Sequence, residues 1–235
     1  MSSISLKLGY KYLRSNKGGT FSFTTLLAII GLSIGISSLI VVTSVMNGFE
    51  KELEDRILGV IPHSVISSDE PIDDYEDLIN QVKKDANILE ASTYIDTQGI
   101  ISSSYDTRGV SLIGIDPLKE KNMSIIPDYM LVGNLNDLNE DNTIIIGSLL
   151  AAQIGAYIGD EVNITTSDIR TTLIGSYPRS VNLEVVGIFE LKTEIDQYLT
   201  LISHSTSQKI KNLKANQTTG IRLKTDNLFL SLIHI

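Results

Sequence analysis

The chain has 235 residues, no cysteine and a net charge of −9. It therefore has no disulfide framework and no thiolate metal site, and an acidic balance of this size disfavours nucleic acid as a partner. The length allows a membrane segment plus one domain of about 170 residues with a sizeable core.

Residues 1–17 carry Lys7, Lys11, Arg14 and Lys17 and no acid. Leu6, Tyr10 and Leu13 fall on one side of a helix and the cations on another. This is the pattern of a cytoplasmic amphipathic segment lying in the membrane interface, although a plain positive flank has the same composition. From Gly18 to Phe49 no side chain is charged. The centre of this run, residues 21–46, reaches ~39 Å as a helix at ~1.5 Å per residue, enough to cross the hydrocarbon layer. Lipid offers no partner to a free backbone N–H or C=O, so the crossing form is a helix. The run is longer than the roughly 7–15 apolar residues of a cleaved signal peptide. A transmembrane helix is expected over 18–48.

The acidic stretch Glu50-Lys51-Glu52-Leu53-Glu54-Asp55-Arg56 follows it. With the basic flank before the helix, this places the N-terminus in the cytoplasm and the remainder outside. Four N-terminal cations within a total of −9 leave −13 on residues 50–235. Tryptophan is absent, so the interfacial belt falls to Tyr10, Tyr12, Phe21, Phe23 and Phe49.

Two motifs overlap inside the helix. Gly31 and Gly35 form G-x-x-x-G, and Ala28 and Ser38 extend the small-residue face. Such a face lets a second membrane helix approach closely. The same residues spell G-x-S-x-G around Ser33. That nucleophile elbow needs a strand before the serine and a helix after it, whereas here both flanks are apolar. Residues 49–59 read as a helical stalk leaving the membrane, with Asn47 and Gly48 at its start. Phe49, Leu53 and Ile57, or equally Met46, Phe49 and Leu53, share a stripe. Gly59 is the expected stop, and Pro62 bars continuation.

Residues 60–229 alternate short apolar runs with helical patterns. A helix face of Tyr75, Leu78, Ile79 and Val82 follows Asp73-Asp74, which can cap it. Strands are expected at 88–94, 99–103, 109–115, 143–146, 161–166, 182–189, 199–203 and 218–223. Helices are expected at 148–154, closed near Gly155, and at 206–213, capped by Ser205. This mixture predicts an α+β domain. Residues 230–235, Leu-Ser-Leu-Ile-His-Ile, break the pattern, read like a translated library adapter and are expected to be a non-native tail.

Chemical motifs are sparse. No Gly-Lys pair exists to form a P-loop. His63, His204 and His234 are scattered, without H-x-x-x-H spacing, and read as surface or loop residues. The carboxylate clusters at Asp73-Asp74 and 50–55 read as a cap and a solvated face. No catalytic residue, metal ligand or cofactor site is assigned.

The segment Ser44-Val45-Met46-Asn47-Gly48-Phe49-Glu50-Lys51-Glu52-Leu53 resembles the signature that follows the first membrane helix in lipoprotein-releasing permeases, the LolC/LolE family. Leu8-Gly9-Tyr10-Lys11-Tyr12-Leu13-Arg14 resembles that family's N-terminal segment, and Ile57-Leu58-Gly59-Val60-Ile61-Pro62-His63 its entry into the periplasmic domain. Gly109-Val110-Ser111-Leu112-Ile113-Gly114-Ile115-Asp116-Pro117, Val185-Val186-Gly187-Ile188-Phe189-Glu190 and Thr219-Gly220-Ile221-Arg222-Leu223 match three later strands. The matches are collinear and together cover residues 4 to about 229.

The resemblance implies a subunit of an ABC transporter in the bacterial inner membrane, with a MacB-like periplasmic core after its first membrane helix. Its implied partners are a separate ABC ATPase subunit, a second permease subunit (homo- or heterodimer), membrane lipid, the lipoprotein substrate and a periplasmic lipoprotein carrier. Acyl chains would contact Leu39, Val42, Val45 and Met46, and the stalk residues Asn47, Gly48, Phe49 and Leu53 would transmit motion. In the LolC branch a protruding hook before the Val-Val-Gly-Ile-Phe strand grips the carrier. The corresponding stretch here is 168–180, with Gly175, Tyr177, Pro178 and Arg179 as the contact loop. Two alternatives stand beside this reading: a MacB-like efflux or mechanotransmission permease, and a single-span membrane-anchored hydrolase or binding module.

Overall fold

Residues 23–53 form one unbroken helix, α1 (Phe23–Leu53). The computed structural model describes this helix and residues 59–225, apart from 61, 63, 86, 140, 173 and 174; of residues 1–22 it describes Ile4, Lys7 and Lys11, all helical. The tail at 230–235 and the stalk residues 54–58 lie outside the described residues. The chain divides into two compact units, Met1–Glu52 and Leu53–Ile235.

Among the described residues of the second unit nine strands, short α-helices and single 3-10 turns alternate. In chain order they are β1 (Ser64–Asp73), α2 (Tyr75–Val82), β2 (Ile88–Ser102), β3 (Thr107–Ile115), α3 (Pro117–Met123), β4 (Met130–Gly133), β5 (Thr143–Gly147), α4 (Ser148–Ile154), β6 (Glu161–Thr172), β7 (Gly175–Phe189), β8 (Leu199–Ser203), α5 (His204–Lys211) and β9 (Gln217–Thr225). The α+β class expected from the sequence is the class observed.

Six of these strands close on themselves. β2 pairs β3, β3 pairs β8, β8 pairs β5, β5 pairs β7, β7 pairs β6, and β6 returns to β2. The β3–β8 and β5–β7 contacts are parallel and the other four antiparallel. Every strand of this barrel sends apolar side chains to one core: Ile101, Leu112, Ile144, Val162, Leu183 and Ile202 are all buried in it. Leu150 and Ile154 of α4 and Ile210 of α5 complete it. A second core lies on the outer face, where Ile115, Ile145, Phe189 and Leu201 meet Ile126, Leu135 and Leu138 of the connecting turns.

The first half of β2 leaves the barrel and pairs β9, which pairs β1. On this antiparallel side sheet α2 packs Tyr75, Leu78, Ile79 and Val82 against Ala91, Ile221 and Leu223. β2 therefore serves two sheets as one strand of 15 residues, not the two strands expected at 88–94 and 99–103. Gly99 allows a close approach: a Cβ there would stand 3.0 Å from the Thr165 carbonyl oxygen and 3.1 Å from a Leu112 methyl. Gly114 plays the same part under α5, where a Cβ would collide with Ser207.

Other boundaries also change. β6 and β7 run six and seven residues further toward each other than the expected 161–166 and 182–189. β1, α3 and β4 were not expected from the sequence. β1 contains Pro71 and acids, as suits an edge strand. Asp74 does not cap α2 with its side chain. It adopts a left-handed conformation (φ 50°), and its carboxylate accepts from Asn216 Nδ2 at 3.0 Å. Helix α5 is capped by Ser203, whose Oγ accepts from Thr206 N at 3.1 Å, so the cap lies two residues before the expected Ser205.

Two buried side-chain contacts between elements carry titratable groups. Glu120 of α3, fully buried, takes both terminal nitrogens of Arg222 on β9, which is 3% exposed. Burial pushes the Arg222 guanidinium down to about 10, so it stays charged at neutral pH. His204 at the head of α5 packs its imidazole edge-on against Tyr75 of α2, with centroids 5.4 Å apart. Burial is the main cause that lowers His204 to about 4, Asp116 and Lys119 acting as smaller opposed influences, so it is neutral at neutral pH.

Both contacts give measurable consequences. Glu120→Ala strands a buried guanidinium and is expected to destabilise the domain by about 3–5 kcal/mol, whereas Glu120→Leu with Arg222→Leu loses much less; denaturant unfolding of the purified chain reads the difference. The depressed His204 pKa contributes stability that is complete above the ordinary value of about 6.5 and is lost as pH falls toward 4. Unfolding free energies between pH 7 and 5 should fall with a slope of at most about 1.4 kcal/mol per pH unit from this residue. His204→Phe should remove that slope; an unchanged slope would show that other groups carry it.

Candidate functional site

The residues singled out in the sequence fall in two places, one on α1 and one on the β6–β7 hairpin. On α1 every side chain from 26 to 52 is exposed, and this is a helix long and apolar enough to span a bilayer. Its apolar surface is one that only lipid or other helices can cover. The Thr43 hydroxyl satisfies itself within the helix by donating to the Leu39 carbonyl at 2.5 Å.

The two residue sets read separately on this helix share one stripe. At about 3.6 residues per turn, Ala28, Gly31, Gly35, Ser38, Leu39, Val42, Val45 and Met46 occupy about a third of the circumference. Phe49 continues the stripe, and Leu53, whose side chain lies outside the described residues, has the same helical phase. Asn47 and Gly48 fall off it. Nothing in the unit approaches within 4 Å of a Cβ at Gly31, Gly35 or Gly48. The helix is continuous through Gly31-Leu32-Ser33-Ile34-Gly35, so the strand-turn-helix that a nucleophile elbow needs is not formed around Ser33.

On the hairpin, the stretch 168–180 expected to be a loop is instead a two-stranded ribbon. Ile169 pairs Pro178, Arg170 pairs Tyr177, Thr171 pairs Ser176 and Thr172 pairs Gly175. These residues pair only with each other: β2 reaches β6 over 163–166, and β5 begins on β7 at Glu184. Side-chain amides and hydroxyls lace the base of the ribbon, with Asn163 Nδ2 donating to Asn182 Oδ1 and Ser180 Oγ to Asn163 Oδ1, both at 2.6 Å. Pro178 is exposed and withholds a backbone donor. The side chain of Tyr177 lies outside the described residues.

Arg179 has partners within the domain. Its guanidinium turns back onto the domain and donates to the carbonyl oxygens of Lys209 and Ile210, each at 2.5 Å, and to Asn212 Oδ1 at 3.1 Å. These groups form the C-terminal turn of α5. A planar fork with several donors fits such a cluster of acceptors. Sequence alone had no signal for this, because Arg179 and Asn212 are brought together only by the fold.

A small polar cleft of about 180 Å³ opens where α2, α3 and α5 converge, lined in part by Tyr75, Glu76, Asp116, Lys119, His204 and Ser205. His204, read as a surface or loop residue, is half-buried here, and its Nε2 has no hydrogen-bond partner. Ser203 and Ser205 share a hydrogen bond at 3.0 Å. Among the described residues no cluster of His, Asp or Glu is placed to hold a metal ion. Asp196 was missed from the sequence. Its buried carboxylate accepts from the backbone of Leu191 and Lys192 and ties the turn after β7. Burial raises its pKa, and those backbone bonds oppose the rise.

The profile of the MacB-like periplasmic core domain matches residues 25–228. The lipoprotein-releasing system transmembrane protein LolC of Neisseria meningitidis serogroup B is 33% identical over 228 residues, 95% of this chain and 55% of the relative. The lipoprotein-releasing system transmembrane protein LolE of Haemophilus influenzae is 25% identical over 94% of this chain and 55% of its own length. The chain thus spans about half the length of these relatives. The periplasmic region of MacB from Actinobacillus actinomycetemcomitans is 14% identical, with a TM-score of 0.47 over 75% of this chain and 80% of that one. With a matched profile that begins inside α1 and runs through β9, the chain belongs to the MacB-like periplasmic core domain family, in its LolC/LolE branch.

Proposed function

We propose that this chain acts within an ABC transporter that extracts lipoproteins from the bacterial inner membrane and hands them to a periplasmic carrier. The observation that carries the reading is the likeness to lipoprotein-releasing transmembrane proteins over 95% of the chain, membrane helix and domain together. In this reading the N-terminus is cytoplasmic and the barrel periplasmic, as the basic flank and the acidic exterior favour. A separate ATPase subunit supplies hydrolysis, and a second permease subunit covers part of the α1 stripe.

The stripe offers a physical division of labour. Its first half is small (Ala28, Gly31, Gly35, Ser38) and suits close helix packing. Its second half is large and apolar (Leu39, Val42, Val45, Met46) and suits acyl chains near the outer leaflet. Each buried CH₂ of an acyl chain is worth about 0.8 kcal/mol, so a multiply acylated anchor leaves lipid only with coupled work. Because α1 continues as helix to Leu53, motion imposed on the span has a stiff path out of the membrane. The β6–β7 ribbon, standing clear of the barrel ladder, serves as the carrier contact.

Two measurements test this. A charge at Val42 carries an insertion cost of about 2.5–3.5 kcal/mol and repels acyl chains. Val42→Asp is expected to abolish lipoprotein release from spheroplasts while the ATPase subunit still co-purifies; unchanged release would remove the acyl contact from this stripe. The absence of native cysteine allows single-cysteine topology mapping. A membrane-impermeant maleimide added to spheroplasts should label Lys121→Cys and leave Ser2→Cys unlabelled, and the reverse pattern would invert the proposed orientation.

A further inference from the structure

Arg179 sits where the ribbon leaves the barrel. Opposite it stands Thr166 of β6, which also pairs Gly99 and is the last β6 residue joined to β2. One step outward the register slips between Thr166 and Ile169, and Pro178 withholds an N–H. Such an irregularity bends a strand and increases its local twist. Beyond it the described backbone of the two strands pairs within the hairpin, and an isolated two-stranded ribbon is weakly held. Its direction is therefore set by whatever grips it from outside the ladder.

The grip is the Arg179 guanidinium on the C-terminal turn of α5. The carbonyls of Lys209 and Ile210 lie among the last four of the helix, which have no intrahelical partner, and they stand at the negative end of its dipole. The third acceptor, Asn212, holds the left-handed cap of the same helix (φ 58°). α5 is itself a fixed platform. Ile210 is buried in the barrel core, Ser207 seats against Gly114, and Lys209 pairs Asp141 at 2.8 Å.

We propose that Arg179 is a positioning residue: by binding the end of α5 it fixes the direction in which the β6–β7 ribbon leaves the barrel, and so presents the ribbon to its protein partner. What the presentation achieves rests on the reading of the ribbon as carrier contact; the clamp itself rests on the geometry. Arg179 then acts on the partner through the ribbon, not by touching it. Ordering the ribbon in advance removes part of the entropy lost on binding.

Spin labels at Thr172→Cys, near the ribbon end, and at Lys121→Cys on α3 report one distance in the full chain in nanodiscs. A narrow distribution is expected with Arg179 present, a broadened one with Arg179→Ala, and recovery of most of the narrowness with Arg179→Lys, which still donates to the carbonyls. Cross-linking of the ribbon to the source organism's soluble lipoprotein carrier should fall at least about fivefold in Arg179→Ala and recover in Arg179→Lys. If Arg179→Ala does not fold, Arg179→Met carries the test, since it keeps an aliphatic stem and deletes every donor to the end of α5. A distribution unchanged in the folded variant overturns the clamp. Broadening with unchanged cross-linking upholds the clamp and overturns its part in presenting the ribbon, whereas no cross-link in the unsubstituted chain overturns the carrier-contact reading.

Discussion

The four-residue pairing of β6 with β2, Gly99 to Ser102 against Asn163 to Thr166, is what turns an open sheet into a barrel. Without it β2 and β6 would each present an unpaired edge, and the apolar faces of Ile101, Val162 and Ile164 would lack their opposite wall. Closure satisfies the backbone of both strands and lets the interior be apolar throughout. It also demands close approach of three strands at one point, which is why glycine stands at 99. A side chain there would have to displace both the Thr165 carbonyl and Leu112.

The same closure defines where the domain becomes an appendage. The barrel holds β6 as far as Thr166 and takes β7 into a second pairing from Glu184 onward. Between those limits the described backbone of the hairpin pairs within itself, Val181 and Leu183 root its base in the barrel core, and Arg179 ties it to α5. A rigid scaffold with a projecting element of lower local stability is a common arrangement for recognition. The buried Glu120–Arg222 pair pins α3 to the side sheet through two desolvated charges. Such a pair adds little net stability compared with apolar residues but is costly to break, so it specifies where α3 sits more than it strengthens the fold.

The membrane helix obeys a different constraint. In lipid the backbone must satisfy itself, and α1 does so without interruption across G-x-x-x-G and past the first charges at Glu50 and Lys51. One consequence is that residues read as two separate sites, small and large, lie along a single face. The helix period, not a change of role, connects Ala28 to Phe49.

What the amino-acid sequence determined by itself was whatever depends on local pattern. The charge-free run predicted α1 because no other backbone form survives in hydrocarbon. Alternation and caps predicted α2 (Tyr75–Val82), α4 with Gly155 after it, and β8 (Leu199–Ser203), because periodicity and turn chemistry act over a few residues. The family resemblance was legible in short collinear motifs. The tertiary structure decided what depends on distant partners. It joined 88–94 and 99–103 into one strand because β9 and β3 extend the ladder from either end. It drew 168–180 into a ribbon because β6 and β7 complete each other's hydrogen bonds. It placed the Ser203 cap, buried Arg222 against Glu120, and set the Arg179 guanidinium on the end of α5. The ribbon joins residues three to nine positions apart, the cap chooses between neighbouring hydroxyls, and the rest join residues further apart in sequence; such choices are settled by packing, which local pattern does not encode.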